Sequence, residues 1–127
     1  MPKTWIAWGA LWGGLGVALG AFGAHILRPI LPLQVMTTFE TAVRYQMFHS
    51  LALVASGILM EIQPDLRPRL VWVARGFLGG LVLFSGSLYG LSLTGWWGFG
   101  PITPFGGALW IAAWGLLAHT QWKHRQS

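Results

Sequence analysis

The sequence predicts an all-α integral membrane protein, a bundle of four transmembrane helices with both termini in the cytoplasm. Hydrophobic residues make up 54% of the 127 residues and charged residues only 9%, and the mean hydropathy is +0.58. Soluble domains carry roughly 25% charged residues. A bilayer core about 30 Å thick needs about 20 apolar residues per helix, and the chain contains four stretches of about that length. They leave too few residues for a soluble domain.

The four predicted spans form a single domain over residues 1–127 and cover about 5–26, 44–62, 70–93 and 102–120. Pro29 and Pro32 end the first helix, because proline cannot continue a helix and restricts the residue before it. Thr37 and Glu40 have the spacing of a capping box, which predicts that the second helix begins at Thr37, outside the hydrocarbon. Residues 94–104 combine glycine, proline and tryptophan, which predicts a short loop in the membrane interface.

The distribution of basic residues predicts the orientation. With four crossings, one side of the membrane receives six of the eight, which are Lys3, Arg67, Arg69, Arg75, Lys123 and Arg125. The other side receives Arg28 and Arg44. Because cytoplasmic loops carry the excess of Lys and Arg, both termini are predicted to be cytoplasmic. The first apolar run exceeds the roughly 7–15 residues of the apolar region of a signal peptide, so we expect a retained helix.

Composition and motifs exclude several classes of function. The chain has no cysteine, so disulfides, thiolate metal sites and cysteine nucleophiles are excluded. The formal net charge is +5, but the basic residues form no dense run with interleaved aromatics, so we expect no nucleic-acid partner. The chain holds only three carboxylates, and no helix carries an HExxH or Glu-x-x-His pattern. We therefore expect neither a metal site nor catalytic residues.

Glycines four residues apart predict faces on which helices pack closely. The pairs are Gly9 and Gly13, Gly16 and Gly20, Gly76 and Gly80, and Gly86 and Gly90. In an apolar helix, this spacing places both glycines on one face, where another backbone can approach. Two interpretations are open. One is packing inside the bundle, and the other is a seam between two copies of the chain.

Polar residues of the predicted spans gather near the outer leaflet, where they form a candidate polar pocket. Its members are His25, Glu40, Arg44, Tyr45, Gln46, His49, Ser85 and Tyr89. In the second helix, Tyr45 lies four residues and Gln46 three residues before His49, so these side chains can face one direction. Glu40 and Arg44 have the spacing of a helical ion pair. Polar groups in lipid are costly unless they satisfy one another, which raises the hypothesis of a functional site.

The pocket has a structural and a functional interpretation. In the first, its groups hydrogen-bond between helices and fix their register. In the second, His25 and His49 hold a small ligand, a quinone, haem or a proton, since neutral imidazole is a common ligand. No sequence pattern supports haem or quinone, so no cofactor is expected. The tryptophans are too far apart in sequence to form one cage, and interfacial anchoring and packing account for most of them.

Four segments of the chain resemble the signature of a known family. They are residues 20–25 (GAFGAH), 45–53 (YQMFHSLAL), 83–89 (LFSGSLY) and 100–107 (GPITPFGG). In this order they resemble the transmembrane-protein-256-like family, also called domain of unknown function 423, over nearly the whole chain. The resemblance implies a four-helix protein of the bacterial cytoplasmic (inner) membrane. It implies no activity and no catalytic residues.

These observations predict a small non-enzymatic membrane protein, an accessory or scaffold subunit that acts through its glycine-rich and tryptophan-rich faces. The expected partners are membrane lipid and either a second copy of the chain or a larger membrane complex. The alternative is a binding or transport protein whose ligand occupies the outer polar pocket.

Overall fold

The computed structural model describes residues 2–125, which contain helices and no strand. Helix α1 (Pro2–Phe22) continues through a first π turn (Gly23–Leu27). After a short turn, α2 (Leu33–Ile62) is the longest helix of the described chain. The prediction of an all-α fold is confirmed.

The second half of the chain forms two further rods. Helix α3 (Arg67–Gly80) passes through a second π turn (Leu81–Ser85) into α4 (Gly86–Thr94), so that these three elements form one continuous rod. Helix α5 (Thr103–Lys123) forms the other rod. Short 3-10 helices lie in the two connections, at Pro64–Leu66 and Trp97–Ile102. Gly95 ends α4 with a φ of 73°, a left-handed conformation that favours glycine at this position.

The start of α2 differs from the prediction. The capping box assigned to Thr37 and Glu40 is wrong, because the helix begins four residues earlier, at Leu33, directly after Pro32. The Thr37 hydroxyl donates back to the Leu33 carbonyl over 3.0 Å, within a helix already formed. Pro32 brings its fixed φ to the residue before the first helical turn, where its missing N–H leaves no hydrogen bond unmade.

Helix α2 lies at the centre of the bundle. It packs against α1 on one side and against the α3–α4 rod on another, while α5 packs against α3 and the second π turn. The main core joins α2, α3 and α5, with Leu53, Phe77 and Trp110 among its buried members. A smaller cluster at the other end contains Met36 and Phe39. This arrangement leaves α1 and α5 with large outward faces.

Three of the four rods are long and apolar enough to cross a membrane, namely Pro2–Leu27, Pro64–Thr94 and Trp97–Lys123. Helix α2 is more polar, and its buried polar residues face the other helices, namely Gln46, His49, Ser50 and Ser56. By contrast, the outward face of α1 exposes Leu11, Leu15 and Val17. An apolar exterior around a polar central helix is the distribution expected when lipid rather than water surrounds a bundle.

Candidate functional site

His49 lies at the contact between α2 and α5 and is buried, with 6% of its surface exposed. Its ring stacks on the Trp110 indole, with centroids 3.7 Å apart and planes 5° from parallel. Trp110 reaches this position because Gly80 of α3 has no side chain, and a Cβ there would overlap the indole. The Trp110 Nε1–H also donates to the Phe77 carbonyl over 3.0 Å. One tryptophan therefore joins α5 to both α2 and α3.

Both ring nitrogens of His49 are engaged by groups of the chain. The Trp114 Nε1–H lies 3.0 Å from Nε2, and Nδ1 lies 2.8 Å from the Tyr45 carbonyl oxygen. An indole N–H can only donate, so Nε2 accepts and carries no proton. A carbonyl can only accept, so Nδ1 carries the proton. The two contacts fit a single neutral tautomer and leave no ring nitrogen free for a ligand.

The side-chain amide of Gln46 joins three rods. Its Nε2 donates to the Trp12 carbonyl of α1 over 2.8 Å, and its Oε1 accepts a hydrogen bond from the Tyr89 hydroxyl of α4. Gly16 of α1 faces this contact, and a Cβ there would lie 3.5 Å from the Gln46 amide nitrogen and 2.5 Å from the Met47 sulfur. Gln46 has no exposed surface. Its amide therefore fixes the register of α1, α2 and α4.

The second π turn provides a further link. Ser85, fully buried, donates to the Ala42 carbonyl of α2 over 2.9 Å. On the other side of this turn, a Cβ at Gly106 of α5 would overlap the backbone of Phe84. A π turn adds one residue to the helical repeat and changes the direction in which the following side chains point. In this rod, the π turn lies against both α2 and α5.

The structure divides the predicted polar pocket into separate places. Gln46 and Tyr89 bond to each other, Ser85 bonds separately to the Ala42 carbonyl, and His49 belongs to an aromatic group with Trp110. Tyr45 is 40% exposed on the outside of the bundle. Its ring stacks against that of Trp110, with centroids 6.0 Å apart.

The remaining three members of the pocket lie at the end of the bundle that holds the first π turn. His25 and Arg44 are exposed. Glu40 forms an ion pair of 2.7 Å with Arg28 of the preceding turn, in place of the predicted pairing with Arg44. Glu40 and Arg44 line a shallow groove of about 150 Å³ between α1 and α2, at a distance from the His49 group. The eight residues therefore lie in separate parts of the bundle and do not line a single cavity.

Most of the predicted glycine faces are occupied within the chain. On α1, Gly9, Gly13, Gly16 and Gly20 all face α2, and a Cβ at Gly9 would come within 3 Å of the Val54 and Ser50 backbones. On α3, Gly76 faces Ala113 and Gly80 faces Trp110, both in α5. Gly90 lies under the Phe99 ring. Gly86 differs, since nothing in the described chain lies within 4 Å of a Cβ placed there.

The prediction missed the aromatic residues that surround His49. Trp110 and Trp114 lie four residues apart on α5, the same spacing as Tyr45 and His49 on α2, and this spacing was the one available signal. The rings of Phe77 and Phe84 complete the surroundings, at 5.9 Å from His49 and 4.6 Å from Trp110 respectively. Within residues 2–125, no group of three or more His, Asp or Glu residues is arranged to hold a metal ion.

Comparison with known proteins shows the family of this chain. Residues 19–107, more than half of the chain, match the family model described as "Protein of unknown function (DUF423)". The chain belongs to this family. The resemblance carried by the four sequence segments is thereby confirmed. No solved structure matches the chain.

Curated relatives agree with the membrane character. The UPF0382 membrane protein SSP2132 of Staphylococcus saprophyticus is 43% identical over 91% of this chain and 93% of its own length. The UPF0382 membrane protein SH2409 of Staphylococcus haemolyticus is 41% identical over 95% and 97%. The UPF0382 inner membrane protein YgdD of Escherichia coli is 39% identical over 85% and 81%. With three apolar helices of spanning length, the DUF423 chain is a multi-pass protein of the cytoplasmic membrane.

The residues that the DUF423 family model matches include some of the hydrogen-bonded residues described above and exclude others. The matched region contains His49, and also Gln46, Ser85 and Tyr89, whose hydrogen bonds hold α2 to the α3–α4 rod. It ends at residue 107, before Trp110 and Trp114, and begins at residue 19, after the Trp12 carbonyl. In this DUF423 chain, the α5 partners of His49 therefore lie beyond the residues that the family model matches, although the curated relatives align over 91–95% of the chain.

Proposed function

We propose that this protein is a non-enzymatic accessory or scaffold subunit of the membrane that acts through its outer surface rather than through an internal site. The observation that carries the proposal is the engagement of its central polar side chains. His49 uses both ring nitrogens, and Gln46 uses its amide nitrogen and oxygen, on groups of the same chain. Side chains bonded in this way hold helices in register, and neither a free ring nitrogen of His49 nor exposed surface of Gln46 is left for a substrate.

The proposal includes four membrane crossings with both termini in the cytoplasm. Helix α2 follows α1 in the antiparallel direction over its whole length, because Gly9 faces Val54 at one end and Gly23 faces Phe39 at the other. A helix of 30 residues is about 45 Å long at 1.5 Å per residue, enough to cross beside α1. Six of the eight basic residues then lie on the side of the termini, which supports a cytoplasmic assignment.

Cysteine labelling tests this topology, and the chain has no cysteine of its own to remove. Ile30 and Trp97 are exposed at one end of the bundle. We expect Ile30→Cys and Trp97→Cys to react with an impermeant maleimide in intact spheroplasts. Asp65→Cys and Arg125→Cys should react only after permeabilisation. Labelling of Asp65→Cys from outside, with Ile30→Cys protected, would show the opposite orientation. Labelling of both from outside would show that α2 does not cross.

Gly86 marks the surface proposed to contact a partner. Glycine in a helix costs roughly 0.5–1 kcal/mol relative to alanine, and at Gly86 no group of residues 2–125 needs the space. Gly14 and Gly115 are equally open helical glycines, but neither has a second glycine four residues away, as Gly86 has in Gly90. We therefore place a close helix contact with a second copy or another membrane subunit at Gly86.

Native mass spectrometry after extraction in mild detergent tests the scaffold role. We expect a homo-oligomer or a stoichiometric partner in the wild type, its loss in Gly86→Leu, and its retention in the matched control Gly115→Leu. Both variants should fold, because both positions are open. A strictly monomeric wild type in several lipids would overturn the proposal. A retained chromophore or small molecule, lost in His49→Ala, would instead support the ligand-binding alternative.

That alternative needs a change in the site described above. For His49 to bind haem, Nε2 must first be released from the Trp114 N–H. We therefore propose that the protein carries no haem and no quinone at this position, and an absorption spectrum of protein purified from native membranes checks this directly.

A further inference from the structure

A groove of about 290 Å³ runs along the outer surface between α3 and α5. Its lining combines small residues (Gly76, Ala112, Ala113) with larger apolar ones (Trp72, Leu109, Leu116). The two helices approach closely here, because a Cβ at Gly76 would lie 2.8 Å from that of Ala113. The groove is therefore mostly apolar, and it is open on the side that faces lipid.

Arg75 provides the only charge in the lining of this groove. Its side chain is exposed, and its guanidinium carbon lies 4.7 Å from the centroid of the Trp72 ring. Trp72 is one turn nearer to the start of α3, so the arginine bends back toward that end of the bundle. Arg75 follows residue 70, where the predicted third span begins, by five positions, which corresponds to about 7.5 Å along the helix. That depth lies within a hydrocarbon half-thickness of about 15 Å.

Within residues 2–125, no acidic side chain pairs with Arg75. The chain has three acidic residues in all, and the one ion pair found among residues 2–125 joins Arg28 to Glu40. A guanidinium on the lipid-facing side of a span is costly unless it reaches the headgroups or meets an anion. The neighbouring apolar groove and the unpaired charge together fit a molecule with an anionic head and a hydrocarbon chain.

We propose that the groove binds an anionic phospholipid, with its phosphate on Arg75 and an acyl chain lying along Gly76 and Ala112. Basic sites between transmembrane helices are known places for such headgroups. The further α5 positions His119 and Lys123 follow Ala112 and Leu116 at helical spacing toward the basic end of the bundle. In the topology proposed above, this basic end is cytoplasmic, which places the bound lipid in the cytoplasmic leaflet. The binding itself does not depend on that topology.

The test is a titration of the purified full chain with phosphatidylglycerol and with phosphatidylcholine of the same acyl chains, followed by native mass spectrometry. The wild type should bind phosphatidylglycerol in preference, at one site. Arg75→Gln should weaken that binding about fivefold, the factor that one arginine near a membrane surface contributes. Arg75→Lys should retain most of it. Phosphatidylcholine binding should be the same in all three proteins.

Two matched controls distinguish binding in this groove from a general attraction between basic side chains and anionic lipid. Arg69→Gln removes one charge from the same end of α3 but from another face of the helix, and should change the affinity little. Ala112→Phe fills the groove without changing any charge and should weaken binding, whereas Ala118→Phe, at an exposed α5 position outside the groove, should not.

Equal losses in Arg69→Gln and Arg75→Gln, or equal binding of both lipids by the wild type, would overturn the proposal. A dimer that binds no lipid, and that Ala112→Phe dissociates, would show that a second copy occupies the groove instead. Failure of the scaffold role or of the topology leaves the titration unchanged, so the two proposals fail separately.

Discussion

The Trp114 indole N–H donates to Nε2 of His49 over 3.0 Å, from α5 to α2. This bond completes the hydrogen bonding of an imidazole that already donates to the Tyr45 carbonyl and stacks on Trp110. A histidine in an apolar bundle raises the hypothesis of a ligand site. Here its polar atoms and its ring are both used to hold two helices together, so its first measurable effect is on stability.

Trp114→Phe should destabilise the bundle. It removes the donor and leaves Nε2 without a partner, so we expect a loss of about 1 kcal/mol, between the average of about 0.6 and the maximum of about 1.7 kcal/mol measured for hydrogen bonds between membrane helices. Unfolding in mixed detergent and SDS, followed by circular dichroism, measures the change. Trp122→Phe serves as the control, because Trp122 is 70% exposed. Equal stability of both variants would show that the bond contributes nothing.

The Gln46 and Tyr89 side chains should be energetically coupled. Tyr89→Phe leaves the Gln46 oxygen unpaired, Gln46→Leu leaves the Tyr89 hydroxyl unpaired, and the double variant removes both groups. In a double-mutant cycle on unfolding free energies, we expect a coupling of at least about 0.5 kcal/mol, as for residues in direct contact. Additive effects would contradict the hydrogen bond. Ser92→Ala with Gln46→Leu is the matched control, since Ser92 bonds only within its own helix, to Leu88.

Two glycines of α1 should respond differently to the same substitution. Gly9→Ala places a methyl group within 3 Å of backbone atoms of α2, which cannot move aside as a side chain does. We expect a loss of about 1–3 kcal/mol, the usual cost of overpacking. Gly14→Ala meets nothing within 4 Å and should stabilise the helix by up to about 1 kcal/mol. Thermal unfolding in one detergent compares the two, and a similar loss in both would place α1 differently against α2.

The glycine pattern also shows how far the sequence alone could lead. Because Gly9, Gly16 and Gly20 share one face of an apolar helix, the existence of a close contact was predictable. The identity of the neighbour was not, since the sequence offers other apolar helices as well as a second copy. The structure places Val54, Met47 and Val43 opposite these glycines. This antiparallel register follows from the short turn after Leu27, which obliges α2 to return beside α1.

The His49 site was less accessible to prediction. The sequence identified His49 and Gln46 as polar groups in an apolar helix, but their neighbours on other helices depend on rotations about four helix axes. Trp110 and Trp114 are more than 60 residues away from His49 along the chain. The second π turn further shifts Ser85 and Tyr89 relative to Phe77, and no residue pattern marks a π turn. The polar members of the site were therefore predictable, while its aromatic members and the separation of the polar residues into different places were not.

The ion pair between Arg28 and Glu40 should contribute little to stability. Its side chains are 58% and 40% exposed, and exposed pairs typically contribute about 0–1 kcal/mol because water and salt screen them. We therefore expect Glu40→Gln to lower the unfolding free energy by less than about 1 kcal/mol, and the difference from wild type to shrink between low salt and about 1 M salt, where the screening length is about 3 Å. Arg44→Gln is the matched control, since it removes a neighbouring charge that forms no ion pair in the described chain, and it should show no such salt dependence. Thermal unfolding at two salt concentrations measures both. A larger loss in Glu40→Gln that persists in high salt would show that this carboxylate is shielded from solvent, for example by a ligand in the adjacent groove between α1 and α2.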